Sequence, residues 1–194
     1  SIACAAGQPK PDVRFFVNSK MPEILKRLHP EYGVYAVLGN HEYIGGNSLL
    51  AIEYLKQAEI TVLVDECIKV NDQFYVVGRD DRMAARMAGK PRIELSRLIE
   101  DIDHNFPIIL LDHQPVNLEE GQRNGIDLQL SGHTHAGQFF PNTLISRHVF
   151  EKSWGYLKKG EFQIIVTSGF GTWGPPIRIG SYSEIVDINI SFQK

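Results

Sequence analysis

Cysteine is nearly absent, with only Cys4 and Cys67 in 194 residues. Two thiols so far apart form neither a disulfide framework nor a metal finger, which leaves a reducing compartment compatible. Long apolar runs are missing too: none reaches the roughly 18 residues needed to span a bilayer. Any membrane attachment is therefore expected through a segment outside this sequence. The opening Ser1-Ile2-Ala3-Cys4-Ala5-Ala6 lacks the basic flank and length of a signal peptide. Excess charge is also lacking. A net charge of -3 provides no broad basic field, so nucleic acid is not an expected partner. Internal repeats, low-complexity stretches and linkers are not seen. With 43% hydrophobic and 22% charged residues, the chain reads as one globular domain able to bury a core.

What is present is concentrated in three short segments, each following an apolar run that reads as a buried strand. Gly39-Asn40-His41-Glu42 follows Val34–Leu38. Asp112-His113-Gln114-Pro115 follows Ile108–Leu111, and Gly132-His133-Thr134-His135 follows Leu128–Leu130. Polar residues at the carboxyl ends of several strands are where open α/β folds gather their sites. Imidazoles joined by an amide oxygen point to a metal centre with mixed N/O ligands. His133 and His135, two apart, would face the same side of an extended backbone, with Gly132 and Gly137 letting the loop bend. Asp112 and His113 should point to opposite faces, which makes Asp112 the weaker ligand candidate.

The rest of the chain supplies a frame. A helix capped by Asn18 or Ser19 is expected to bury Ile24, Leu25 and Leu28, and Gly33 closes it. Asn47 or Ser48 opens a second helix carrying Leu50, Ile52 and Leu55. Strands are expected at 62–64, 68–70 and 74–77, with Asn71-Asp72 as a hairpin turn. Met83–Lys90 reads as a polar connection, and Pro91 as the start of a helix with Ile93, Leu95, Leu98, Ile99 and Ile102 on one face. Tyr156-Leu157 and Phe162–Val166 should pair as a hairpin, and Ser183–Ile190 should form the last strand. Asp80 and Asp81 are read as structural, and Trp173 as either a cleft wall or a loop anchor.

Asn-His-Glu, His-x-Pro and Gly-His-Thr-His-Ala-Gly-Gln, in that order and each after a strand, resemble the calcineurin-like metallophosphoesterases. The stretch Gly169–Arg178 is similar to bacterial members often attached to membranes. The resemblance runs from about Gly33 to the C-terminus. It implies an α/β sandwich of two mixed β-sheets flanked by helices, formed by a single domain over 1–194. It further implies a hydrolase that cleaves a phosphomonoester, phosphodiester or pyrophosphate with a metal-activated hydroxide, on a small phosphorylated substrate that is lipid- or nucleotide-linked in some relatives.

The same resemblance assigns residues. Asn40 and His113 would bind one of two divalent ions (Mn, Fe or Zn). His133 and His135 would serve neighbouring ions, and His41 would face the substrate as general acid or charge stabiliser. Glu42 would orient His41 or belong to the loop. Arg178 would hold a substrate phosphate, or pack beneath the 169–176 loop. The family's Asp-x-His and Gly-Asp-x-x-Asp are not in this chain. One expectation is that a ligand loop is missing between about Asp12 and Arg14, with the Asp-x-His strand lying before Ser1. The alternative is a truncated or degenerate, non-catalytic domain that binds a partner or a single metal. Without a bridging carboxylate, two dications would repel with little to offset them.

Overall fold

The computed structural model describes residues 20–191. The expected ligand-loop gap between Asp12 and Arg14 and the cap at Asn18 or Ser19 lie outside those residues.

Two sheets form the centre. The larger has six strands: β3 (Glu66–Val70), β4 (Phe74–Gly78), β5 (Ile108–Leu111), β6 (Leu128–Ser131), β7 (Gly155–Lys159) and β8 (Phe162–Val166). Their spatial order is β3-β4-β5-β6-β8-β7. The inner four run parallel and the two edge strands antiparallel. The smaller sheet pairs β1 (Tyr35–Ala36) with β2 (Thr61–Val62) in parallel. This is the expected mixed α/β architecture, with the second sheet reduced to two short strands.

Alternation along the inner strands divides the core. Val77, Ile108, Leu110, Phe162, Ile164 and Val166 face Leu95, Ile99, Leu118 and Ile126 from the helical side. Val76, Ile109, Leu111, Leu128 and Leu130 face Tyr35, Val37 and Leu63 from the small sheet. The outer side of the small sheet is closed by Val34, Ala36, Ala58 and Ile60, and by Leu38, Tyr43, Val62 and Ala84. Strands buried on both faces must be apolar throughout, which is why Ile108–Leu111 reads as an unbroken run. Gly78 sets how closely the sheets approach. A Cβ there would stand 2.2 Å from Leu63 Cβ.

The helices are short. They are α1 (Met21–Leu25), α2 (Asn40–Ile44), α3 (Ser48–Gln57), α4 (Met83–Met87), α5 (Leu95–Leu98), α6 (Leu118–Arg123) and α7 (Asn142–Val149). Asn71 and Asp72 both take positive φ, 50° and 53°, as a tight hairpin turn between β3 and β4 requires. The helix after Asn47 and the 155–166 hairpin also match expectation.

Four expectations are corrected. Ile24 and Leu28 are half-exposed, so α1 buries mainly Leu25. Met83–Met87 is a helix rather than a connection, because Asp81 Oδ1 accepts the Met83 N–H and starts it. The helix expected from Pro91 is one turn, α5. Before it the Ile93 N–H is held by Asp65 Oδ2 at 2.8 Å, which competes with helix formation. Ser183–Ile190 forms no ladder. Its anchor is Glu184 Oε1, which accepts from Trp154 Nε1, Thr167 Oγ1 and the Ser168 N–H, while Ile185 stays exposed.

Candidate metal centre

The three segments meet at the carboxyl ends of the inner strands. Asn40 opens α2, His113 follows β5, and His133 and His135 follow β6. The Asn40 amide oxygen, Oδ1, lies 3.1 Å from His113 Nε2 and 3.1 Å from His133 Nδ1. The two rings stand edge to face with centroids 5.1 Å apart. Residues separated by up to 93 positions thus converge on one atom.

Local backbone makes this convergence. Gly39 leaves room for the His113 ring, since a Cβ there would sit 2.8 Å from two ring atoms. The Gly39 N–H donates to Glu42 Oε2 at 2.8 Å, so Glu42 ties down the start of α2 rather than orienting His41. The loop after β6 is not extended as expected. His133, His135 and Ala136 have φ of 68°, 50° and 51°. These left-handed residues send the two imidazoles apart. His133 reaches Asn40, whereas His135 Nδ1 lies 3.4 Å from Arg178 Nη2.

Arg178 divides its guanidinium among main-chain carbonyls of Ser168, Gly169, Gly171 and Tyr182. Packing beneath the loop is therefore its visible work, with His135 as its one contact in the histidine group. Gln138, fully buried, anchors the same loop through the Trp173 N–H and the carbonyls of Trp173 and Pro175. Its place in Gly-His-Thr-His-Ala-Gly-Gln was the available signal. Trp173 stacks on Phe139 at 6.3 Å, as a loop anchor would.

Asp112 turns away from the centre, as the alternation predicts, and its Oδ2 accepts from Arg92 Nη1 at 3.0 Å. Asp81 is structural as expected, starting α4 through the Met83 N–H, and it also stands near the histidines. Gln114 Nε2 donates to both of its oxygens, at 3.1 and 2.9 Å, and its charge reaches His41 and His133. Gln114 inside the His-x-Pro segment and the acid pair after β4 were the signals for this contact.

All four imidazoles are held below their ordinary pKa, and burial is the leading cause. For His113 the fields of His133, His135 and His41 add to burial and depress it strongly. Burial and then Arg178 bring His135 down to about 4. Burial lowers His133 and His41 against the opposing field of Asp81. At neutral pH the rings are uncharged, which is the form that ligates a cation. His113 Nδ1 is buried with no hydrogen-bond partner.

Ligands about 2.1 Å from one cation stand about 3.0 Å apart in an octahedron and about 3.4 Å apart in a tetrahedron. The two 3.1 Å separations fall in that range. Among the described residues, no three His, Cys, Asp or Glu side chains gather as a cation site by themselves. The third donor here is the amide oxygen of Asn40. The residues present therefore fit a divalent metal with N/O ligation.

Comparison with known proteins agrees with this chemistry. A family model described as calcineurin-like phosphoesterase matches residues 10–137. The chain belongs to that family, whose chemistry is phosphoester hydrolysis with divalent metals. An uncharacterized metallophosphoesterase of Aquifex aeolicus is 35% identical over 173 residues, covering 88% of this chain and 65% of the relative. A transmembrane protein with metallophosphoesterase domain from Danio rerio is 35% identical over 177 residues, covering 86% of this chain and 40% of the relative. Phosphodiesterase YaeI of Escherichia coli is 33% identical over 126 residues, covering 62% of this chain and 43% of the relative. The chain thus spans less than two thirds of these relatives. Among its described residues, no helix is long and apolar enough to cross a membrane.

Proposed function

We propose that this chain is a metal-dependent phosphoester hydrolase. Asn40, His113, His133 and His135 supply metal ligands, and His41 acts on the substrate. The observation that carries this reading is the pair of 3.1 Å approaches of His113 Nε2 and His133 Nδ1 to Asn40 Oδ1. When bound, a divalent metal supplies polarisation of the phosphoryl group and acidification of a water to near neutrality. Asn40 contributes a neutral oxygen and the three ligand imidazoles contribute uncharged nitrogens. His41 sits in the first turn of α2 beside Asn40, half-buried, and makes no direct bond to the other imidazoles. Its neutral ring keeps one N–H, which suits donation to the charge developing on a departing oxygen. The substrate is expected to be small and phosphorylated. The name of the Escherichia coli relative favours a diester among the candidates.

The test is metal analysis of the full-length protein, with hydrolysis of an aromatic phosphomonoester and diester measured before and after chelation. Hydrolysis that disappears with the metal and returns with Mn, Fe or Zn is expected. Tight metal binding with no hydrolysis would instead favour a second reading, a domain that holds one metal without turnover. The contact of His135 with Arg178, away from Asn40, supports that reading.

A further inference from the structure

On the helix-covered face of the large sheet lies a cleft of about 410 Å³ that none of the histidines lines. Four arginines line it: Arg79 and Arg82 beyond β4, Arg92 before α5, and Arg123 at the end of α6. Two carboxylates share the wall, Glu94 and Glu120.

Two of the four guanidinium groups are committed. Arg79 Nη1 donates to Glu120 Oε2 at 2.9 Å, and Arg92 Nη1 donates to Asp112 Oδ2 at 3.0 Å. The other two are available. Arg82 makes no hydrogen bond or ion pair among the described residues, and Arg123 spends only its Nε on the Glu119 carbonyl. Although Arg82 is exposed, partial desolvation in the cleft and the neighbouring charges of Arg92 and Arg79 disfavour its cation, with Asp112 and Glu120 acting against them. Arg79 Nε is itself buried and unpartnered. Glu120 and Asp112 are already paired with Arg79 and Arg92, which leaves Glu94 as the uncommitted carboxylate of the lining. Guanidinium groups crowded without enough carboxylate are stabilised by an anion with several acceptor oxygens, and planar forks match phosphate well.

We propose that this cleft binds a phosphate-class dianion, with Arg82 and Arg123 as its principal donors, at a site separate from the metal centre. The site does not depend on catalytic competence, so it stands or falls independently of the hydrolase reading.

The experiment is calorimetric titration of the chelator-treated full chain with inorganic phosphate and, separately, with phenyl phosphate. Both are repeated on Arg82→Ala/Arg123→Ala and on His133→Ala. Arg82 and Arg123 are exposed at the surface, so the double variant should melt at the wild-type temperature, which is measured alongside. Saturable binding near one equivalent is expected without metal. It should survive His133→Ala and weaken about tenfold or more in the double arginine variant, as loss of charge-assisted bonds implies. Binding of inorganic phosphate alone identifies the free anion as occupant, and binding of phenyl phosphate identifies a phosphorylated molecule. Lack of saturable binding by either, or binding lost in His133→Ala and kept in the arginine variant, overturns the site.

Discussion

The Tyr43 hydroxyl donates a hydrogen bond to Asp80 Oδ1, tying helix α2 to the end of β4. Asn40 and His41 lie on that helix, so this bond fixes where the amide oxygen stands relative to the strands bearing the other ligands. Asp80 also accepts the Asp81 N–H, and its own N–H is held by Asp65. Burial first, then the bond and charge of Asp80, keeps the Tyr43 hydroxyl protonated. Tyr43→Phe is expected to cost about 1.5–3 kcal/mol, the scale of a hydrogen bond to a charged group. It should also weaken metal binding by loosening Asn40. Urea unfolding and metal titration of the variant check both; unchanged metal affinity would show that α2 is positioned without this tie.

His41 and His133 should separate by readout. His41→Ala is expected to lower turnover by about 10²–10⁴, the range for losing a positioned proton donor, while metal content stays near wild type. His133→Ala should lower both, because its Nδ1 faces the Asn40 oxygen. Metal analysis beside steady-state kinetics decides this, and equal metal loss in both variants would move His41 into the ligand set.

What sequence made legible follows from period. Ile108–Leu111 and Leu128–Leu130 are unbroken apolar runs because both faces of those strands are buried, and Asn71-Asp72 marks its own turn. Ser183–Ile190 has equally β-like residues but is held by the Glu184 carboxylate, a contact that leaves no periodic trace. The residues that converge on Asn40 were legible as motifs. The left-handed turn at His133 and His135 was not, since positive φ is uncommon for any residue but glycine and no local spacing announces it. Asp81 and Gln114 escaped because a carboxylate–amide contact across 33 residues is set by the sheet, not by local spacing.

Acid should act through Glu120. Burial alone would raise its pKa, but the hydrogen bond and charge of Arg79 outweigh that and hold it below its ordinary 4.5. An acid depressed on folding contributes stability that is present above the unfolded value. That contribution is lost as pH falls through 4.5 and on through the lower folded value. The denaturation midpoint should therefore decline as pH falls below the ordinary 4.5. Glu120→Gln is expected to lower the midpoint at pH 7 and flatten that decline. Parallel slopes in the two proteins would place the acid-sensitive pair elsewhere.

Two glycines should fail in different ways when given a methyl group. At Gly78 the new Cβ would meet Leu63 Cβ at 2.2 Å and Val37 at 3.0 Å, so the small sheet must move away from the large one. Overpacking of this kind costs about 1–3 kcal/mol, occasionally more, and Gly78→Ala should show it as a lowered melting temperature with or without metal. At Gly39 the new Cβ would stand 2.8 Å from Cε1 and Nε2 of His113. The neighbour that must yield there is the ring whose Nε2 faces Asn40. Gly39→Ala is therefore expected to weaken metal binding by more than it lowers the metal-free melting temperature. Calorimetric melting of both variants with and without added Mn or Zn separates the two. A Gly39→Ala protein that takes up metal as tightly as wild type would mean that His113 is not a ligand.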